Sequence, residues 1–201
     1  MPLQNRVSPF GELLAVSARG LLMGNRGGRL HDSDKKLTAR RWTSKQWICC
    51  KLDFNDRHRK VWGDSYTELF FLDEVTAFAA GHRPCFECRR KDAEHFAALF
   101  SGGAKRASAP DMDRVLHAER LEGKQKRLHR MAIDALPDGA MIVQGADAFA
   151  VRGARILPWT PSGYGAPLPR PRGIEVHVLT PPAILDVLER GYRPQWHPSA
   201  A

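Results

Sequence analysis

This chain is poor in several things that would define a protein of its size. Its 201 residues include only four cysteines, and two of these, Cys49 and Cys50, are neighbours. Adjacent cysteines pair only under backbone strain, so these four make a poor disulfide framework. No apolar run approaches the roughly 20 residues that a bilayer span needs. The start, Met1-Pro2-Leu3-Gln4-Asn5-Arg6, lacks the apolar core of a secretory signal. A reducing, cytoplasmic setting is expected, and there a cysteine cluster serves metal binding or catalysis. Acidic residues are also in deficit, 22 against 31 Lys and Arg, which gives a formal charge of +9. That surplus favours a polyanionic partner, nucleic acid first and DNA before RNA. Hydrophobic residues still make up 43% of the chain, enough for a core and against general disorder.

What is present reads as short elements. Two short strands fit Leu13–Val16 and Gly20–Met23, followed by a turn cluster at Gly24-Asn25-Arg26-Gly27-Gly28. Trp47 to Phe54 alternates: Ile48, Cys50, Leu52 and Phe54 share one face, and Trp47, Cys49, Lys51 and Asp53 the other. Period two with aromatic and β-branched content predicts a half-buried strand. Tyr66 to Leu72 predicts another. Asp73 is placed to cap a short helix over 75–80, with Gly81 as its exit, and a second helix spans 91–100. Residues 104–130 are basic and polar and read as a connecting segment. Beyond them, turns at Gly145 and Gly153 divide a meander of three short strands, a Pro- and Gly-rich loop covers 158–172, a strand covers 176–179, and Pro181-Pro182 opens a helix over 183–190. The expectation is an α+β protein of short antiparallel strands and a few short helices around a Cys-x-x-Cys zinc knuckle. It divides into a knuckle region (1–103), a basic connection (104–130) and a meander plus helix (131–201), which can pack as one domain.

The chemistry concentrates in Gly81-His82-Arg83-Pro84-Cys85-Phe86-Glu87-Cys88-Arg89-Arg90. Two thiolates two residues apart grip one metal ion from a tight turn with little loss of chain entropy, and zinc prefers such soft ligands in a tetrahedron. A redox pair would open a helix after a strand, whereas this one follows a helix and its cap. Inert buried thiols are the plain alternative. A third sulfur comes from Cys49 or Cys50. On a strand these point opposite ways, so only one reaches the ion easily. Alternation favours Cys50 packed in the core with Ile48 and Leu52 and Cys49 facing the knuckle, although the opposite assignment fits almost as well. His82, His31, His58, Asp64 or a solvent molecule could complete the shell.

These residues carry a resemblance. Phe70-Phe71, then Ala79-Ala80-Gly81-His82-Arg83-Pro84-Cys85-x-x-Cys88-Arg89, resembles the metal-binding domain of the Ada DNA-repair methyltransferases over about residues 70–92. The resemblance implies zinc held by four cysteines, one of which accepts a methyl group from a DNA phosphotriester. It transfers ligand roles to Cys85 and Cys88. It also implies phosphate contact from basic residues at the knuckle, for which Arg83, Arg89 and Arg90 are the candidates. The chain departs from the family in its adjacent Cys49 and Cys50, and in having Phe86 and Glu87 where the family has basic residues. His117-Ala118-Glu119 together with Pro84-Cys85-x-x-Cys88 supplies the residue types of a zinc deaminase, with Glu119 as proton shuttle, but in reversed order. A zinc enzyme of either kind is the alternative to a nucleic-acid-associated zinc module.

Overall fold

The capping signals at Asp73 and Gly81 set the frame of the molecule. In the computed structural model, which describes residues 1–56, 60–102 and 105–201, Asp73 caps a six-residue helix by accepting from the Thr76 amide at 2.9 Å. The helix ends in Gly81 at φ +83°, where His82 N–H reaches Ala77 O and Gly81 N–H reaches Phe78 O. That pair of bonds is a Schellman exit, and the left-handed conformation suits glycine. Glycine is needed here for a second reason: a Cβ would lie 2.6 Å from Arg120 Cδ.

The N-terminal half supplies β1 (Gln4–Val7), β2 (Leu13–Ala15), β3 (Leu22–Asn25), β4 (Ile48–Lys51), β5 (Leu69–Phe71), α1 (Glu74–Ala79) and β6 (Arg83–Pro84), then α2 (Arg90–Phe100) and α3 (Ala109–Arg120). Its sheet runs β2-β1-β5-β3-β4-β6. β3 pairs antiparallel with both β4 and β5, and the two-residue β6 joins the edge parallel to β4. After α3 come the hairpin β7 (Leu121–Glu122) and β8 (Gln125–Lys126), then β9 (His129–Ala132), β10 (Met141–Gln144), β11 (Asp147–Arg152), β12 (Arg155–Thr160), β13 (Gly163–Tyr164), β14 (Leu168–Pro169), β15 (Glu175–Val178) and α4 (Pro182–Glu189). The second sheet runs β13-β12-β11-β10-β15-β9, with β14 on β12. The fold is therefore α+β, mostly short strands with few short helices.

The stretch expected as a basic connection is largely structured. Ser108 caps α3, Pro110 sits in its first turn, and Met112 and Leu116 are fully buried against Phe78, Phe96, Ile184 and Val187. The charges of 109–120 mask an apolar stripe at i, i+4. A second cluster joins Leu72, Val75 and Ala79 to Met141, Ala150, Leu157 and Tyr164, so the two sheets share their core through α1. The Pro- and Gly-rich loop contributes β13 and β14, and Trp159 anchors it by donating to Thr76 Oγ1 at 3.0 Å.

Asp73 also holds the C-terminal segment. Its Oδ2 accepts from Tyr164 OH at 2.9 Å and from the His197 amide at 3.1 Å. Burial outweighs these donors and raises its pKa above the ordinary value. A raised carboxylate pKa means that the native state holds more protons than the unfolded one. Asp73 thus contributes full stability below about pH 4 and loses it as pH rises through the folded-state pKa. Urea midpoints measured for wild type and Asp73→Asn are expected to converge at low pH and to separate in favour of the variant as pH rises.

Candidate metal centre

Backbone hydrogen bonding builds the site. Arg83 N–H reaches Trp47 O at 3.1 Å and Cys85 N–H reaches Cys49 O at 3.0 Å, which ties the knuckle to the β4 edge. Arg89 N–H then closes on Cys85 O at 3.0 Å, and the chain passes directly into α2. With Cys85 held beside Cys49, strand alternation turns the next residue, Cys50, onto the knuckle's side. The sulfurs of Cys50, Cys85 and Cys88 all lie within 4.8 Å of one another. The Glu87 amide points at Cys85 Sγ and the Lys51 amide at Cys88 Sγ, each at 3.4 Å. Amides aimed at sulfur stabilise thiolates.

The thiols share charge among themselves. Cys85 is lowered, first by the hydrogen bond from Cys50 and then by that from Cys88. Cys50 is pushed up by the same contacts, with Cys85 first. Cys88 is drawn down by Cys50 but raised on balance by Cys85 and burial. A cation among three sulfurs would relieve this competition. Three soft donors, two of them in a Cys-x-x-Cys turn, fit a thiophilic ion such as zinc.

Cys49 lies elsewhere. It is fully buried with Val7, Leu69, Phe71, Ala77 and Ala80, and its Sγ accepts from Arg89 Nη1 at 2.9 Å. The favoured assignment of the sequence reading is thus inverted: Cys49 packs in the core and Cys50 faces the knuckle. The two faces of the strand were separated as expected. The side covered by α1 is the one carrying Trp47 and Cys49, and an alternating pattern alone does not say which side a later helix will cover.

The thiol cluster opens on a cavity of about 230 Å³. Met23 and Phe70, aligned with Cys50 across β3 and β5, form part of its wall, along with Ile48, Leu52, Phe54 and Val61. Its polar lining is Asn25, Lys51, Tyr66, Glu68 and Glu87. Glu68 Oε2 accepts from the Trp62 amide at 2.7 Å. The sequence reading missed Tyr66 and Glu68 and gave Phe70 no place in a cavity, although their i, i+2, i+4 spacing in the expected strand 66–72 carries the signal.

The expected fourth ligands do not join the cluster. His82 is fully buried against Phe71 and Trp47, with Nε2 facing Arg26 Nε at 3.4 Å. His31 stacks on Trp62 and bonds Thr67 and the Gly63 carbonyl. Asp64 is exposed, and His58 lies outside the described residues. Glu119 is remote from the thiols: its Oε2 accepts from the Ala183 amide at the start of α4, so the deaminase arrangement is not formed.

Two of the three phosphate-contact candidates lie inside the protein. Arg83 is buried and forms a two-pronged pair with Asp113 at 2.8 Å on each arm. Arg89 is buried between Glu74 at 2.7 Å and Asp92 at 2.9 Å. Only Arg90 is exposed, in an i, i+4 pair with Glu94. No described helix is long and apolar enough to cross a membrane. Comparison with protein-family models, with curated proteins and with solved structures finds no match to this chain.

Proposed function

We propose that this protein binds one zinc ion through Cys50, Cys85 and Cys88, and that the centre is reactive at sulfur: the Cys50 thiolate forms an S–C bond to a small alkyl electrophile that enters the cavity, and the electrophile's leaving group departs with the electron pair of the broken bond. The observation that carries this reading is the position of the three thiols on the wall of a cavity, with no fourth side-chain donor in the cluster among the described residues. Structural zinc sites are closed by four protein ligands, whereas reactive ones keep a position open. Three thiolates would outweigh the charge of a divalent ion, which would weaken it as a Lewis acid and keep sulfur nucleophilic. Cys50 is the most exposed of the three. The resemblance of residues 70–92 to the Ada metal-binding domain supports the same choice of metal and chemistry. A nucleic-acid partner draws support from the charge of +9, but not from Arg83 or Arg89.

Elemental analysis is expected to give one zinc per chain. Cobalt substitution is expected to yield a thiolate-to-metal band that shifts on adding a small exogenous ligand. Treatment of the zinc-loaded protein with iodomethane is expected to methylate Cys50 at least about tenfold faster than the occluded Cys49, as read by peptide mass spectrometry. Zinc-free protein as isolated, or preferential labelling of Cys49, would overturn the reading.

A further inference from the structure

A second cavity lies on the other side of the structure, where Trp47 rather than Cys50 is presented. Its volume is about 660 Å³, and its lining includes Arg26, Arg41, Arg120, Lys124 and Lys126. Glu12, at an exposed position, is the only acidic residue in that lining among the described residues. Arg26 and Arg120 are each 1% exposed, although an isolated buried guanidinium is strongly disfavoured. Their guanidinium carbons stack on the Trp47 ring at 4.0 and 3.9 Å from its centroid.

Among the described residues, these cations donate to neutral acceptors. Arg26 donates to the carbonyls of Gly11 and Arg41 and faces His82 Nε2. Arg120 donates to the carbonyls of Gly81 and Lys45 and meets His117 Nδ1. Lys126 donates to Ala79 O. Arg120 Nε is buried without any acceptor. The nearby Asp113 holds Arg83 with both oxygens, and among the described residues no carboxylate pairs with Arg26, Arg120 or Lys126. Burial and then mutual repulsion push Lys126 down to about 7. Cation–π stacking offsets part of the cost but leaves the charge uncompensated.

We propose that this cavity binds the phosphate of a nucleotide or of a nucleic-acid 5′ end. Several cations against a single acid favour a group with at least two negative charges. Guanidinium forks match phosphate oxygens. Trp42, half-buried in the same lining and 6.1 Å from the Trp47 ring, offers a face for a base. The site does not depend on the metal centre, which lies on the opposite side of β4.

Calorimetry on the full chain, as isolated and at constant ionic strength, tests the proposal with five probes: pyrophosphate, ADP, tricarballylate, and one oligonucleotide with either a 5′-phosphate or a 5′-hydroxyl. Pyrophosphate is expected to bind in the micromolar range, and tricarballylate at least tenfold more weakly. ADP binding tighter than pyrophosphate identifies a free nucleotide as the source. A preference for the 5′-phosphorylated strand with no gain from ADP identifies a nucleic-acid end. Lys124→Gln, at an exposed position, and Lys126→Met, at a half-buried one, are each expected to weaken binding about tenfold, with Arg90→Gln as the unaffected control. Pyrophosphate that fails to bind, binds no better than tricarballylate, or binds equally to the Lys126 and Lys124 variants would overturn the proposal.

Discussion

Replacing Cys50 with serine is expected to empty the metal centre, whereas the same change at Cys49 leaves it loaded. The two residues are chemically identical neighbours, yet only Cys50 lies with Cys85 and Cys88. Changes that only touch a ligand's supporting contacts typically cost 10–100-fold in metal affinity, so loss of one sulfur in three should cost more than about 100-fold. Zinc content measured after gel filtration should fall from near one per chain to near zero in Cys50→Ser. Because metal binding is coupled to folding, thermal stability should fall with it, and chelator should reproduce the effect in wild type. Cys49→Ser instead places a hydroxyl against Arg89 in an apolar core. Its expected cost is about 1–2 kcal/mol with zinc retained. The opposite pattern, with zinc lost from Cys49→Ser and kept by Cys50→Ser, would remove the basis of the proposed function.

The second large effect is expected at Arg83 and Asp113. Their side chains are 2% and 10% exposed and join α3 to the strand that leads into the knuckle. Removing one partner of such a pair leaves a buried charge, so Asp113→Ala should lose about 3–5 kcal/mol in urea unfolding. Replacing both, as Arg83→Met with Asp113→Leu, should recover most of the loss, because the pair's own net contribution is small once its desolvation is counted. If Arg83 met phosphate, Arg83→Met would reduce the salt dependence of DNA binding by about one contact. The buried geometry predicts that this slope is unchanged. A measured decrease would show that the pair opens to receive nucleic acid.

The two variants illustrate where local reading works and where it stops. Asp73 and Gly81 were recognisable because capping and left-handed exits depend on residues within one turn. The meander turns at Gly145 and Gly153 were recognisable for the same reason, with φ of +63° and +58°. α3 escaped because its apolar stripe is narrow, and the helix is held by partners, Phe78 and Ile184, that are far away in sequence. Arg83, Arg89 and Arg90 look alike as letters. They separate only when Asp113 and Glu74 arrive from other elements and bury two of them.

By itself the sequence determined that the chain has a packed core of short strands and helices, that Cys85 and Cys88 lie close enough to share one ion, and that one of Cys49 and Cys50 faces away from the other. These are consequences of composition, spacing and period, which need no distant contact. Tertiary structure alone decided which cysteine completes the cluster, because that depends on which side of β4 is covered by α1. It also decided that Arg26 and Arg120, remote from each other in sequence, stack on Trp47 with no carboxylate paired to either among the described residues. Burial and proximity between remote residues are properties of the folded chain, and no local pattern encodes them.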